Sequence, residues 1–124
     1  TVPAAQYFSD YIIPGNYEMA SFAWQGTAFP ISSSESIFYP VDSGQNYTAV
    51  TDDSLGDLWD QANQELDPAK RIEIAQQIDK TIWSYVPIIP IAPTPNVWAV
   101  KQGLANYGSA TFAAVDWTVV GWKK

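Results

Sequence analysis

Cysteine and histidine are both absent from the 124 residues. That excludes thiol nucleophiles, Cys/His zinc sites, the Ser-His-Asp triad and a histidine general base. It also excludes a small disulfide-stapled domain, while leaving both the cytosol and a bacterial exterior open. Basic residues are scarce: six Lys and Arg stand against 13 Asp and Glu, a net charge of −7. A chain this acidic is repelled by nucleic acid and by anionic lipid headgroups, and the same charge keeps a secreted protein soluble. No apolar run approaches the ~20 residues of a membrane span. Internal repeats and low-complexity tracts are missing too. Thr1-Val2-Pro3 is neither an initiator Met nor the charged opening of a signal peptide, so the chain reads as a piece of a longer or processed protein.

Large rings, by contrast, are plentiful. Six Trp, seven Tyr and five Phe lie in a chain that is 47% apolar and 15% charged. That is a globular composition, enough for one domain with its own core. Rings in such number serve either a well-packed core or a surface on which a ligand stacks.

Along the chain, Phe8, Tyr11 and Ile12 fall at helical spacing within residues 4–12, and Pro14-Gly15-Asn16 closes that segment. Tyr17 to Trp24 is rich in β-formers and reads as a strand. Gln25 to Pro40, with Gly26, Pro30 and three consecutive serines, reads as a long ordered loop, the kind of segment that often carries function. Asp52 is a good N-cap for a helix whose apolar face is Leu55, Leu58, Trp59, Ala62 and Leu66. Asp67 and Pro68 start a second helix with Ile74, Ala75, Ile78 and Ile82 as its stripe. Residues 87–91 and 96–101 read as strands on either side of a stiff Pro93-Thr94-Pro95 crossing. Residues 103–114 read as a loop, and 116–122 as a final strand.

Three groups of polar residues invite a chemical reading. Asp52, Asp53, Asp57, Asp60, Glu65 and Asp67 have no intervening base, yet they lack the alternating oxygens and central Gly of a calcium loop. On a helix, Asp53, Asp57 and Asp60 lie opposite the apolar stripe, so a solvated face is the reading. Glu18 and Glu35 are the acids available outside the helices for a facing carboxylate pair, and nothing in the sequence brings them together. Asn46-Tyr47-Thr48 matches a glycosylation sequon, a triplet that arises often by chance. The more informative stretch is Trp24-Gln25-Gly26-Thr27-Ala28-Phe29-Pro30. A Trp at a strand end, a Gly and a second ring make one wall of a ligand pocket, with loop backbone supplying fixed donors and acceptors. Core packing of Trp24 fits the same composition equally well.

The order of these features is similar to family-5 bacterial solute-binding proteins, the dipeptide and oligopeptide binders. Gly15 through Trp24 resembles their G-x-Y/F-D-hydrophobic-A…W strand. Asn46-Tyr47 and the first helix resemble their N-Y-x-x-Y-x-N-P-x-V-D-x-L entry. Leu66 through Arg71 resembles their D-P-x-K-R helix start. Ile82 through Ile91 resembles L-W-x-x-x-P-x-x-P-L, the most specific piece. The run from Gly26 to Ser33 resembles the actinobacterial branch.

The resemblance implies an α+β fold, a fragment of a type II periplasmic-binding-protein architecture with two main helices packed on a mixed sheet. Residues 1–92 would be the C-terminal part of the second lobe, and residues 93–124 the hinge crossing and return segment toward the first. It implies a non-enzymatic extracellular component of an ABC importer, periplasmic or lipid-anchored in the full-length protein. That component captures a peptide or related solute in an interlobe cleft and delivers it to a membrane permease. Trp24 and Phe29 are expected to pack on the ligand, with Gln25, the Gly26 backbone and Thr27 hydrogen-bonding beside them. No catalytic residue, metal, cofactor or nucleic acid is implied.

Peptide-binding members of that family carry an Asp three residues after the Trp, paired with the ligand's terminal amine. Here Thr27 stands in that place. A hydroxyl brings no counter-charge, which opens the way to a sugar, a glycolipid or a modified peptide, and Ser32, Ser33 and Ser34 suit such a ligand. Three rivals remain at this level: a non-transport scaffold of the same fold, a carbohydrate-binding module with a row of exposed rings, and a hydrolase with a convergent acid pair.

Overall fold

The two apolar stripes become two helices. A computed structural model of the chain describes residues 2–108, 110, 112 and 114–123. Residues 109, 111 and 113 of the expected 103–114 loop lie outside the described residues, as do Thr1 and Lys124. Helix α3 spans Ser54–Gln64 and α4 spans Pro68–Tyr85. They follow α1 (Ala4–Gln6) and α2 (Pro30–Phe38), and precede two short strands, β1 (Leu104–Ala105) and β2 (Gly121–Trp122).

Each main helix has a legible start. The Asp67 carboxylate accepts from the Ala69 N–H at 2.9 Å, and Pro68 occupies the first turn, where its missing N–H leaves nothing unsatisfied. Arg71 donates from Nε (2.9 Å) and Nη2 (2.5 Å) to the carbonyl of Glu65, one of the carbonyls that the end of α3 leaves without an intrahelical partner. The α3–α4 turn is thus tied from both sides. At the other end of α3 the cap position is Asp53, one residue later than expected. Asp52 still supplies the side chain, with Oδ1 accepting from the Ser54 N–H (2.9 Å) and hydroxyl (2.5 Å).

Leu55, Trp59 and Ala62 of α3 are buried with Ile78 of α4, and Leu58, Ile74, Ile82 and Tyr85 pack around them. Leu66 is exposed because α3 has already ended before it. The third layer of this core is a departure from expectation. Residues 25–40 are not one long loop, because α2 runs through them. Pro30 at its start and the seven-residue interval from Ile31 to Phe38 put both apolar side chains on α3. Trp59 Nε1 donates to the Ile31 carbonyl at 3.0 Å, and its ring stacks on Phe38 with centroids 6.3 Å apart.

The segment 4–12 is helical, with a change of winding. After α1, residues Tyr7–Ile12 form a π-helix, in which Ile13 donates to the Phe8 carbonyl five residues back (2.9 Å). Gly15, at φ +74°, makes the predicted turn. The strand expected over 17–24 does not form. The Tyr7 hydroxyl donates to the Ser21 carbonyl (3.0 Å) and accepts from the Ser21 N–H (2.9 Å), so a side chain holds the backbone groups a ladder needs.

The mixed sheet beneath the helices is absent among the described residues. The helices pack on one another, and the strands present are β1 and β2, antiparallel, with Leu104 opposite Trp122 and Ala105 opposite Gly121. The expected 116–122 strand shrinks to its last two residues, and the expected 103–114 loop contains β1. Residues 87–91 and 96–101 make no ladder either. A strand needs a partner, and the described residues offer these segments none.

The chain divides into two compact units. The first runs to Phe22 and from Phe29 to Pro90, and contains the helices and the core. The second comprises Ala23–Ala28 and the chain from Ile91 onward. It contains the β1–β2 pair and an aromatic group in which Trp98 meets Tyr107 edge-on (5.4 Å) and Tyr107 meets Trp117 (5.6 Å).

Candidate functional site

Of the five residues singled out as a ligand-facing wall, Trp24, Gln25, Gly26 and Thr27 lie together on the 23–28 loop of the second unit. Phe29 belongs to the first unit, where it is the N-cap residue of α2 and its carbonyl accepts from the Ser33 N–H at 3.0 Å. All five are exposed, Trp24 at 37% and Phe29 at 74%. At Gly26 a Cβ would lie 2.8 Å from Cε1 of Phe112, so a side chain there would make that ring shift. The bare backbone lets that ring sit directly over the loop.

Between Glu18 and Glu35 no residue carries a charge, so the 23–28 loop offers a ring, an amide, a hydroxyl and backbone. The serines that follow are engaged within α2. Ser32 donates to the Phe29 carbonyl (3.4 Å) and Ser34 to the Ile31 carbonyl (2.9 Å), which counts against their serving a hydroxyl-rich ligand.

A concave feature of the first unit has no counterpart in the expectations drawn from the sequence. A surface hollow of about 300 Å³ is lined by Ile12, Ile13, Pro14, Gly15, Val41, Gly44, Asn46, Tyr47 and Ala49. Asn46 is 6% exposed, and its amide donates to the carbonyls of Phe38 (3.1 Å) and Val50 (2.9 Å) while its oxygen accepts from Thr48 (2.8 Å). The sequon nitrogen is therefore committed to the fold. Beside the hollow, Phe8, Phe22 and Tyr47 meet edge-to-face at 5.4–6.3 Å, and the Tyr17 hydroxyl donates to the Tyr47 carbonyl. The Asn46-Tyr47 pair was the available signal: its position in the motif marked it, while its burial could not be read from the triplet.

The ionisable groups do not converge. Burial, reinforced by Tyr7, pushes the Tyr17 phenol up, and burial, reinforced by Asp52, does the same to Tyr85. The Tyr85 hydroxyl is enclosed without a hydrogen-bond partner. Hydrogen bonds from Ser54 hold the Asp52 carboxyl below the usual carboxylate range, and Thr118 does this for Asp116. Glu35 accepts from the Asn63 amide (3.2 Å) and Glu18 is exposed. Asp53, Asp57 and Asp60 point to solvent, and among the described residues no group of three or more acids forms a metal-sized cluster. No helix of the described residues is long and apolar enough to cross a membrane.

No protein-family profile matches the chain. Comparison with curated proteins is more informative. Over 118 residues, 95% of the chain, it is 34% identical to the oligopeptide-binding protein OppA of Mycobacterium tuberculosis, and the same values hold for OppA of Mycobacterium bovis. The chain spans 20% of the length of these relatives. By this match the chain is similar to a C-terminal stretch of OppA, a family-5 solute-binding protein of ABC transporters.

Proposed function

We propose that this chain forms part of a peptide-type extracellular solute-binding protein that captures its ligand in a cleft and hands it to the permease of an ABC importer. The observation that carries this reading is the 34% identity, sustained over 95% of the chain, to proteins named for binding oligopeptides. In this reading the full-length protein works at the outer face of the cell envelope and binds without chemical conversion. Residues 1–92 belong to the second lobe and residues 93–124 return toward the first. Trp24 and Phe29 pack on the ligand, and Gln25, Thr27 and the Gly26 backbone hydrogen-bond to it.

The uncharged wall refines the ligand. A buried ammonium needs a counter-charge, and neither Thr27 nor its neighbours provide one. The part of a peptide that meets this wall is its backbone or an apolar side chain, with the amine held elsewhere. The same neutrality favours a second reading, in which a sugar or glycolipid takes the peptide's place.

Intrinsic Trp fluorescence of the full-length parent protein separates the two. It is titrated with a peptide pool and, separately, with an oligosaccharide and glycolipid pool, and again with Trp24→Ala and Thr27→Asp. Saturable change with peptides, lost in Trp24→Ala, is expected. A response to sugars or glycolipids alone moves the ligand class, and silence from every pool points to a scaffold role and removes Trp24 from the site.

A further inference from the structure

Phe112 lies against the 23–28 loop, and both belong to the second unit. Measured from an ideal Cβ on Gly26, Cε1 of Phe112 is 2.8 Å away, Cζ 3.5 Å and Cδ1 3.8 Å. The distance climbs from one atom to both of its ring neighbours, so the ring meets the loop edge-on. Its faces are left largely uncommitted, and Phe112 is 64% exposed. The ring's place depends on Gly26 carrying no side chain.

Trp24 stands two residues before Gly26, no more than about 7 Å along the chain. The loop thus carries one ring in its own sequence and receives another from residue 112, within a single compact unit. Phe29, by contrast, is carried by the other unit. Both stretches are neutral: no charged residue lies between Glu18 and Glu35, and none between Lys101 and Asp116. An exposed ring in such a setting gains most from apolar atoms laid on its faces, and least from a charged or heavily hydrated group.

We propose that Phe112 is a specificity-determining residue of the ligand wall. Its ring receives an apolar side chain of a bound peptide, of the Leu or Phe kind, while the 23–28 backbone holds the peptide's main chain. This rests on the peptide-binding reading of that loop and adds to it a preference that neither Thr27 nor Gln25 could supply.

Calorimetric titration of the full-length parent protein with two peptide pools, one rich in Leu and Phe and one of Ser and Gly, tests this. Phe112→Ala is expected to weaken binding of the Leu/Phe pool about tenfold, the scale of one apolar group lost from a pocket, and to leave the Ser/Gly pool within about twofold. Phe112→Leu keeps apolar bulk and should restore most of the affinity. Gly26→Ala displaces the ring without removing it, so it should weaken the same pool, and combined with Phe112→Ala it should add nothing further. Trp24→Ala, measured alongside, keeps the two levels apart. Peptide binding that falls in Trp24→Ala but not in Phe112→Ala overturns the role of Phe112 and leaves the wall standing. Equal losses from both pools in Phe112→Ala also overturn it, since a ring that merely holds the loop acts on every ligand alike. A wild-type protein that binds neither pool overturns the peptide-binding reading, and the role of Phe112 with it.

Discussion

The two units use the same turn for different ends. In the first, Asp52 Oδ1 accepts from the N–H and hydroxyl of Ser54 at 2.9 and 2.5 Å. In the second, Asp116 Oδ1 accepts from the N–H and hydroxyl of Thr118 at 2.9 and 2.6 Å. Downstream of Asp52 come Leu55, Trp59 and Ala62, all buried, and the turn opens a three-turn helix. Downstream of Asp116 come Val119 and Trp122, both exposed, and the turn leads to a two-residue strand. The local chemistry is the same. What separates the units is whether apolar side chains follow at a spacing that another element can cover, since burial rather than capping supplies most of a helix's stability.

The sharpest way to break that comparison is to truncate one Trp from each unit. Trp59 is 1% exposed, stacks on Phe38 and donates to the Ile31 carbonyl. Trp59→Ala is expected to destabilise the helical unit by about 3–5 kcal/mol, read from denaturant unfolding followed at 222 nm. Trp117, 68% exposed, is expected to change stability by no more than about 0.5 kcal/mol as Trp117→Ala. Equal losses would show that the second unit has a core of comparable worth.

Glycines give a smaller contrast. A Cβ on Gly56 would lie 2.8 Å from Cζ and Oη of Tyr39, whose ring packs on the core. Gly56→Ala sets overpacking of about 1–3 kcal/mol against a helix-propensity gain of about 1 kcal/mol, so a net loss is expected. Gly26→Ala meets the ring of Phe112 just as closely, but that ring is exposed and free to turn aside, so unfolding should move by less than about 0.5 kcal/mol. Between these two falls Asp67→Ala, which removes the N-cap bond of α4 at about 1 kcal/mol and should lower the thermal midpoint without altering the helical spectrum.

The same contrast explains what was legible in the sequence. Helices α3 and α4 were readable because their stripes repeat within a few residues and their caps are local. Helix α2 was present in the sequence as Pro30 with Ile31 and Phe38 seven residues apart, but Ser32, Ser33 and Ser34 fill the turn between them and read as loop. The strands over 17–24, 87–91 and 96–101 were misread for a different reason. Propensity describes a side chain's fit to a pleated surface, whereas pairing depends on a partner that sequence position does not identify. Of the candidate wall, Trp24 through Thr27 share one loop as their adjacency requires, while Phe29 falls to the other unit because α2 starts there.

Acid titration compares the two aspartates directly. Both carboxyls are held below the usual aspartate value of about 3.9 by hydrogen bonds to the ionised form. A depressed folded pKa contributes stability that is fully present above the unfolded value and is lost as pH falls through the folded one. The stabilising bonds are therefore in place at neutral pH and should fail below about pH 3.9. Only the Asp52 turn opens a helix, so Asp52→Asn should flatten the acid limb of unfolding followed at 222 nm, whereas Asp116→Asn should leave that limb unchanged. If Asp116→Asn flattens it as well, the stability of the helical unit depends on the second unit's turn, and the two cannot be treated as separately held.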